Sequence, residues 1–578
     1  VEQAENTRIT VLSVMVTPGA YSELEERRRR RRYAVLAGLG DSGFVPQDAE
    51  ALGVLSVGLQ SQTVHDLEPK GERATTASLK AFLIPYEWYE FEDSKTGLPL
   101  RKDQDTKNYL REKVLLLWLD ESRFRDQPFA KYFEVISAVL PDDLHLKNRN
   151  GKKLSIAWKV IGPARSGTLR HLVANQCSED VKDNLSKDRR LERFDIISPV
   201  ATVSHSDLSE QWPKKQCEKE GFNKPDLLFG GYFGAPCDGI DKPCLRFLRT
   251  IRSDDVLIAE LKRELVRRGV KDDDDVVILS EWDTYFGRFL PRAFDASSSN
   301  VNPGGGVSAL PQLNSWHYTY ARGIDGITAG ITPKPLLKTG TDQADLVNIL
   351  SPTQNLDVRR PEGTGQIDYI RRLADRISEL DRQLRLEKGR GVRAVAILGS
   401  DVYDNLLILR ALRYRLPGAI WITTDLDAQF LHPGDFVWTR NLVVAATFGL
   451  TLPHDIQPSS PPFRDSYQTA VYLATRMAVD IESIKKFDAW QKSDIADLST
   501  VEAYPNQEDM NKLIPPRLFE IGRHGVVSLG TEGKILKAKQ KAVREEMRES
   551  HAFAYFIAGG LISILALFAL HQLRPRSG

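Results

Sequence analysis

Two spacings of apolar residues alternate along this chain. Short, dense runs rich in Val, Ile and Leu give way to longer stretches whose apolar positions recur every three or four residues. ITVLSVMVTPG (9–19) is of the first kind and predicts a buried strand that ends in a turn at Pro18-Gly19. SELEERRRRRRYAVLAGLGDSGFVP follows and is of the second kind. There Ser22 can cap a helix, and Glu23, Glu25 and Glu26 precede Arg27, Arg29 and Arg30 by four residues. Tyr33, Val35, Leu36 and Leu39 supply the apolar side, and Gly40 or Gly43 ends it.

The alternation then repeats. KAFLIPYEWYEF and KVLLLWLDES (113–122) predict strands, and FAKYFEVISAVL an amphipathic helix. LSIAWKVIGPARSGTLRHLVAN (154–175) predicts a strand that breaks at Gly162-Pro163 and restarts as a helix, with RFDIISPVAT the next strand. DDVLIAELKRELVRRGVKDDDDVVILSEWDTYFGRFLPRAF (254–294) predicts helix, acidic turn, strand, loop and helix. Residues 295–365 lose this periodicity and are rich in Gly, Pro, Ser and Thr, with WHYTYARGIDGI as an ordered-looking island. The pattern resumes with a helix at GQIDYIRRLADRISELDRQLRLEKGRG and strand–helix–strand at 392–430. NLVVAATFGL, a helix at 463–479 and a hairpin at 517–529 complete it. Strands alternating with helices indicate an α/β architecture with mostly parallel sheets. In such sheets ligands bind at the carboxyl ends of the strands, and IISPVATVSHSDL (196–208) is such an end crowded with small hydroxyl residues.

Composition narrows the function. At 578 residues the chain exceeds one core, and 41% hydrophobic with 27% charged residues is a globular balance. Seventy-nine Lys and Arg against 78 Asp and Glu leave a net charge of +1, so no nucleic-acid partner is expected. The six arginines at 27–32 do not change this. Consecutive residues point all round a helix and the acidic turn offsets half the charge, so the run reads as a solvated helix face. The aspartates at 272–275 lack the spacing of a calcium loop and read as a solvated turn. Cys177, Cys217, Cys237 and Cys244 admit two disulfides in three pairings or four free thiols, and contain no C-x-x-C zinc knuckle.

One segment speaks of a membrane. AFAYFIAGGLISILALFAL (552–570) is 19 residues without a charge, about 28 Å as a helix against a hydrocarbon core of about 30 Å. It predicts one C-terminal transmembrane helix, preceded by a basic juxtamembrane helix at 534–551. Six Lys and Arg between 534 and 548 outweigh Arg574 and Arg576, which expects the body on the cytoplasmic side.

Catalytic signatures are sparse. No H-E-x-x-H, G-x-S-x-G elbow, P-loop or strand-linked G-x-G-x-x-G occurs, so no metal and no cofactor is expected. Asp283, Asp401, Asp404, Asp425 and Asp427 are numerous enough for a carboxylate pair, yet strand-end aspartates are more often helix caps. A non-enzyme is the expectation.

Five segments, in order, resemble a known family. VIGPARSG is similar to its viGp.sS turn, IISPVATVSHSDL to its iSp.AT strand end, and 247–294 to its fRt.psD crossover. AVAILGSDVYDNLLILRALR and VVAATFG…PPFRDSYQTAVYLATRMAV match a later strand–helix pair and the return to the first lobe. The chain thus resembles type I periplasmic-binding-protein-like (Venus flytrap) proteins, the family of branched-chain amino-acid-binding proteins and receptor ligand-binding regions. The resemblance implies a two-lobed α/β fold: an N-lobe over 9–248 completed by 463–500, a C-lobe over 249–460 with an insertion at 295–365, and a closing hairpin region at 501–533.

Together with the C-terminal helix, it implies a membrane-anchored protein that closes its lobes around a small, amino-acid-like polar ligand. Carried over by motif, Ser166, Ala201 and Thr202 would receive the ligand's acid group. Tyr285, with Asp401 and Asp425 at later strand ends, would face its ammonium. Phe286 is inserted beside Tyr285, Asp427 competes with Asp425, and Arg165 could instead greet an acidic ligand. The family analogy places the body outside the cytoplasm, against the charge flanks. Two alternatives remain: a flytrap scaffold that binds a membrane or signalling protein instead of a ligand, and a cryptic hydrolase built on the aspartates.

Overall fold

The computed structural model describes residues 4–19, 22–47, 52–57, 82–93, 96–99, 101–102, 109–125, 127–140, 154–175, 193–211, 232–236, 243–295, 313–323, 367–454, 456–480 and 516–529. The expected juxtamembrane and transmembrane helices, most of the 295–365 insertion, Cys177, Cys217 and Cys237 lie outside them, as does the side chain of Cys244. Among the described residues no helix is long and apolar enough to cross a membrane.

The runs of β-branched and aliphatic residues form two sheets. The first contains β1 (Ala4–Val16), β2 (Phe44–Pro46), β3 (Leu52–Val57), β4 (Phe82–Phe91), β5 (Arg101–Lys102), β6 (Tyr109–Asp120), β7 (Leu154–Ile161), β8 (Arg193–Ser198), β9 (Tyr232–Pro236) and β10 (Pro243–Arg249). Its parallel centre runs β6-β1-β7-β8-β10, and the remaining strands pair antiparallel at its margins. The second contains β11 (Asp275–Glu281), β12 (Asn314–Tyr320), β13 (Ala394–Leu398), β14 (Ile420–Thr424), β15 (Leu442–Ala446), β16 (Arg517–Gly522) and β17 (Gly525–Ser528). Its parallel centre runs β12-β11-β13-β14-β15, extended by the β16–β17 hairpin. Counted in chain order within each centre, both sheets read 2-1-3-4-5. That is a doubly wound arrangement whose switch point lies beside its first strand.

Helices cover both faces of each sheet. In β1, Val11 and Met15 face one core with α2 (Pro128–Val139) and α3 (Ser166–Asn175), where Trp158, Tyr132 and Leu169 are fully buried. Leu12 and Val14, on the opposite face of the same pleat, meet α1 (Ser22–Asp41) and α9 (Ser466–Val479) through Val35, Leu39, Tyr472 and Ala474. In the second lobe, α5 (Asp254–Arg267) and α6 (Tyr285–Asp295) cover one face with Leu261 and Phe294. There α7 (Ile367–Lys388) and α8 (Val402–Leu412) cover the other with Leu380 and Leu409, which share a core with Trp421 of β14. A short α4 (His205–Glu210) follows β8.

The chain leaves the first sheet after β10 and enters α5, then returns after β15 into α9, which lies against α1. The two lobes therefore share a hinge at 250–253 and 447–465. At the hinge the Arg252 N–H donates to Thr447 Oγ1 (3.1 Å) and the Asp254 N–H to the Thr202 carbonyl (2.8 Å).

The acidic turn is only half solvated. Asp272 and Asp273 are exposed, but Asp274 and Asp275 are buried. Asp275 sits at the start of β11 and receives Lys388 Nζ at 2.8 Å, and Asp274 pairs with Arg390. Ion pairing from α7 and the segment after it makes the burial of both carboxylates affordable.

Candidate functional site

The switch points of the two sheets face each other across a cavity of about 640 Å3. The first lobe contributes Thr17 after β1, the 164–168 turn after β7, and Thr202 after β8. The second contributes Asp283, Thr284, Tyr285 and Phe286 after β11, and Ser400 after β13. The volume lies within the roughly 300–1,000 Å3 range of small-molecule sites.

The sequence-derived site residues fall in three places. Ser166, Thr202 and Tyr285 line this cavity. Asp401 and Asp425 line a small adjoining recess of about 40 Å3. Ala201 is buried, and its carbonyl accepts from the Nε and Nη2 of buried Arg249 at 3.1 and 2.8 Å. Asp401 caps α8, accepting from the Tyr403 N–H at 2.9 Å. Asp425 has φ +64°, and the Thr424 hydroxyl donates to its carboxyl at 3.3 Å. Burial pushes Asp425 up to about 7, although Tyr467 and Arg27 oppose the shift.

The hydroxyls of 196–208 mostly turn inward. Ser198 Oγ donates to the Pro163 carbonyl (3.3 Å), and Ser204 Oγ accepts from the Asp207 N–H at the start of α4 (3.1 Å). Thr202 hydrogen-bonds Asp254, whose carboxyl is held well above the usual range by burial. Tyr285 reaches across the lobes, donating to Asp207 Oδ2 at 2.5 Å while the Arg170 guanidinium lies 5.0 Å from its ring centre. Burial, then Asp207, raises the Tyr285 phenol, so it stays protonated and able to donate.

Two carboxylates that the sequence reading passed over organise the walls. Glu121, fully buried after β6, accepts from the Arg165 N–H at 2.8 Å and the Ala164 N–H at 3.2 Å. Glu281, fully buried at the end of β11, accepts from the Ser400 N–H at 2.6 Å and the Asp401 N–H at 3.3 Å, with the Ser400 and Thr284 hydroxyls added. Burial raises Glu281 despite these donors. Glu281 thus ties the loop after β13 to the adjacent β11, and Glu121 ties the loop after β7 to the end of β6, across β1. Their signal was an acidic residue closing an apolar run, in LWLDE and VILSE.

The arginine run departs from a plain solvated face. Arg29 and Arg32 point outward and Arg28 donates to the Thr17 and Gly19 carbonyls at 3.2 and 3.3 Å, but Arg27, Arg30 and Arg31 line the cavity, as the i, i+3, i+4 spacing of one helix face allows. Arg27 donates to the Ser400 carbonyl across the cleft, and Arg31 to the Met15 carbonyl at 2.7 Å. Arg30 Nη1 meets Asp427 at 3.1 Å and Asp465 at 2.9 Å, while Nη2 meets Glu26. Burial would lower the Arg30 pKa, but Asp465, Asp427 and Glu26 more than offset it. Asp427 is raised by burial and by Asp465, with Arg30 opposing.

In all, the cavity lining has eight arginines (27, 30, 31, 125, 165, 170, 288 and 322) and two aspartates (283 and 465). Such a surface attracts anions, and guanidinium forks match carboxylate or phosphate geometry. Among the described residues no cluster of His, Cys, Asp or Glu is arranged to hold a metal ion.

No protein-family model matches the sequence, and a search of curated proteins finds none that matches. Solved structures similar to the chain include an ABC transporter substrate-binding protein from Desulfitobacterium hafniense in complex with Leu. It is 11% identical, covers 90% of this chain and 100% of its own, and has a TM-score of 0.35. A solute-binding protein from R. palustris in complex with benzoate is 10% identical, covers 90% and 95%, and has a TM-score of 0.37. A substrate-binding protein from Aeropyrum pernix is 9% identical, covers 90% and 95%, and has a TM-score of 0.39. Two lobes, each with a parallel 2-1-3-4-5 centre, fit the type I periplasmic-binding-protein fold.

Proposed function

We propose that this protein captures or senses a small ligand bearing an acid group by closing two lobes on it, and that the 552–570 segment tethers it to a membrane. The observation that carries the reading is the roughly 640 Å3 cavity at two facing switch points, with cationic walls and the N-terminus of α3 opening onto it at Ser166. Lobe closure is the two-state element, and its output passes to the membrane or to a membrane partner.

The test is a thermal-shift panel of amino acids, carboxylic acids and phosphate esters on the full chain. Stabilisation follows RT ln(1 + [L]/Kd), so a ligand at a hundred times its Kd adds about 2.7 kcal/mol. Ser166→Trp, which intrudes on the cavity at the α3 N-terminus, should erase the shift of any hit without lowering the unliganded midpoint. A hit that survives this substitution binds elsewhere and defeats the reading. Liposome flotation of the chain with and without 552–570 tests the tether, and equal flotation of both forms would overturn it.

One observation favours the scaffold alternative. Glu121 and Glu281 already occupy backbone N–H groups at both loop walls that an anion could otherwise use. A panel without hits, together with capture of a protein partner that Ser166→Trp does not disturb, would favour that alternative.

A further inference from the structure

We infer that the ligand carries at least two negative charges, one met by each lobe, and no ammonium group. The inference rests on the ligand-binding reading above and names the substrate class of that same cavity. A zwitterion would require a carboxylate free to receive its cation in a closed site, because an ammonium buried without a partner is strongly disfavoured.

Neither aspartate of the lining offers that. Asp283 accepts from both the N–H and the Nε of Arg322, at 3.2 and 3.3 Å. Asp465 holds Arg30 at 2.9 Å and caps α9 through the Gln468 N–H at 2.7 Å. Asp425, the sequence-derived candidate for the ammonium, lines the adjoining recess and not this cavity, and it is held toward its neutral form.

Cations without an acid partner come from both sides. In the first lobe, among the described residues, Arg125 has no carboxylate partner and the Arg165 guanidinium bonds only the Pro18 carbonyl, at 3.2 Å. In the second lobe, the guanidinium of Arg288 on α6 bonds, among the described residues, only the Trp282 carbonyl, at 2.9 Å. Main-chain bonds orient these guanidiniums without neutralising them, and each keeps further N–H donors. The backbone donors of the 164–165 turn are committed to Glu121, so anion recognition passes to these side chains. Two opposed cationic walls match a molecule that is anionic at both ends, whether a dicarboxylate or a phosphorylated acid.

The experiment is isothermal titration of the detergent-solubilised full chain with glutarate, 3-phosphoglycerate, glutaramate (the monoamide of glutarate) and leucine. Glutarate or 3-phosphoglycerate should bind at least about tenfold more tightly than glutaramate and leucine, with affinity falling as salt rises. Whichever of the first two binds more tightly distinguishes a dicarboxylate from a phosphorylated acid as the ligand. Arg165→Gln and Arg288→Gln, both at exposed positions, should each reduce dianion affinity to the glutaramate level with the melting temperature unchanged. Binding of leucine or glutaramate as tight as the dianions, or an Arg288→Gln protein with undiminished dianion affinity, overturns the inference and leaves the ligand-binding reading standing. Absence of binding by all four probes and by the wider thermal-shift panel overturns both.

Discussion

Replacing Arg30 should destabilise the protein in a pH-dependent way. Its guanidinium joins three separate segments: α1 of the first lobe, the Asp427 loop after β14 of the second, and Asp465 at the start of the returning α9. The side chains of Arg30, Asp427 and Asp465 are 14%, 7% and 14% exposed, so the cluster is nearly dry. Arg30→Met keeps the aliphatic stem and leaves two carboxylates facing each other, with Arg464 at 3.1 Å the remaining cation on Asp427. Removing one partner of a buried ion pair costs about 3–5 kcal/mol. In a cooperative unit of about 250 residues that is a fall of about 6–10 °C in melting temperature, at roughly 2 °C per kcal/mol.

The pH dependence has a definite sign. In the variant, Asp427 titrates even higher above its unfolded value than it does in the native protein, so the folded state binds more protons than the unfolded one. Stability then falls as pH rises from about 4 through the raised folded value, and the deficit is smaller at pH 5 than at pH 7.5. Scanning calorimetry of both proteins at the two pH values, with Asp427→Asn in the Arg30→Met background as a partial rescue, measures this. A deficit below about 2 °C, or one equal at both pH values, would refute the reasoning.

Other substitutions test single features. Asp425, pushed up to about 7 by burial, binds a proton in the folded state that it loses near pH 4 when unfolded, so it costs stability progressively between about pH 4 and 7. Asn tolerates its φ of +64° and still accepts a hydrogen bond, so Asp425→Asn should match the native melting temperature at pH 4 and exceed it at pH 8. The gain is bounded by about 4 kcal/mol, and parallel pH curves for the two proteins would defeat the assignment. A Cβ on Gly287 would lie 2.1 Å from the Glu281 carbonyl oxygen, whereas one on Gly40, inside α1, meets nothing within 4 Å. Gly287→Ala should therefore lose more than about 2 kcal/mol, while Gly40→Ala is neutral or gains up to about 1 kcal/mol. Chemical denaturation of the pair decides, and equal midpoints would show that the 281–287 turn relaxes freely.

The elements were legible because each is specified locally. Seven consecutive buried positions in β11 and five in β13 are near-continuous apolar runs, as parallel strands covered on both faces must be. What the pattern could not give was partner choice. Thr202 reads as a ligand donor until the chain folds and brings Asp254, 52 positions on, against it. Asp425 and Asp427 are indistinguishable in TTDLD. The positive φ at 425 and the arrival of Arg30, nearly 400 positions away, give them different roles. The arginine run was weighed as a block, although the inward arginines follow from helical spacing alone once the buried side of α1 is known.

Glu121 and Glu281 show why this site differs from a generic strand-end pocket. An open parallel sheet presents unpaired N–H groups at the loops beyond its switch point, and those groups can be left for a ligand or satisfied internally. Here a fully buried glutamate satisfies them in both lobes, by 2.8 Å to Arg165 N and 2.6 Å to Ser400 N. A carboxylate accepting several N–H bonds stiffens the loop it closes, and its negative charge sits directly behind the wall it supports. The wall would then repel an anion unless side chains in front of it carry excess positive charge. Arg165 in the first lobe, and Arg27 reaching to the Ser400 carbonyl, occupy that position. The cationic lining is thus the counterpart of the buried glutamates: they consume the backbone donors and leave specificity to guanidiniums, whose reach and number can be altered by substitution without unravelling the loops.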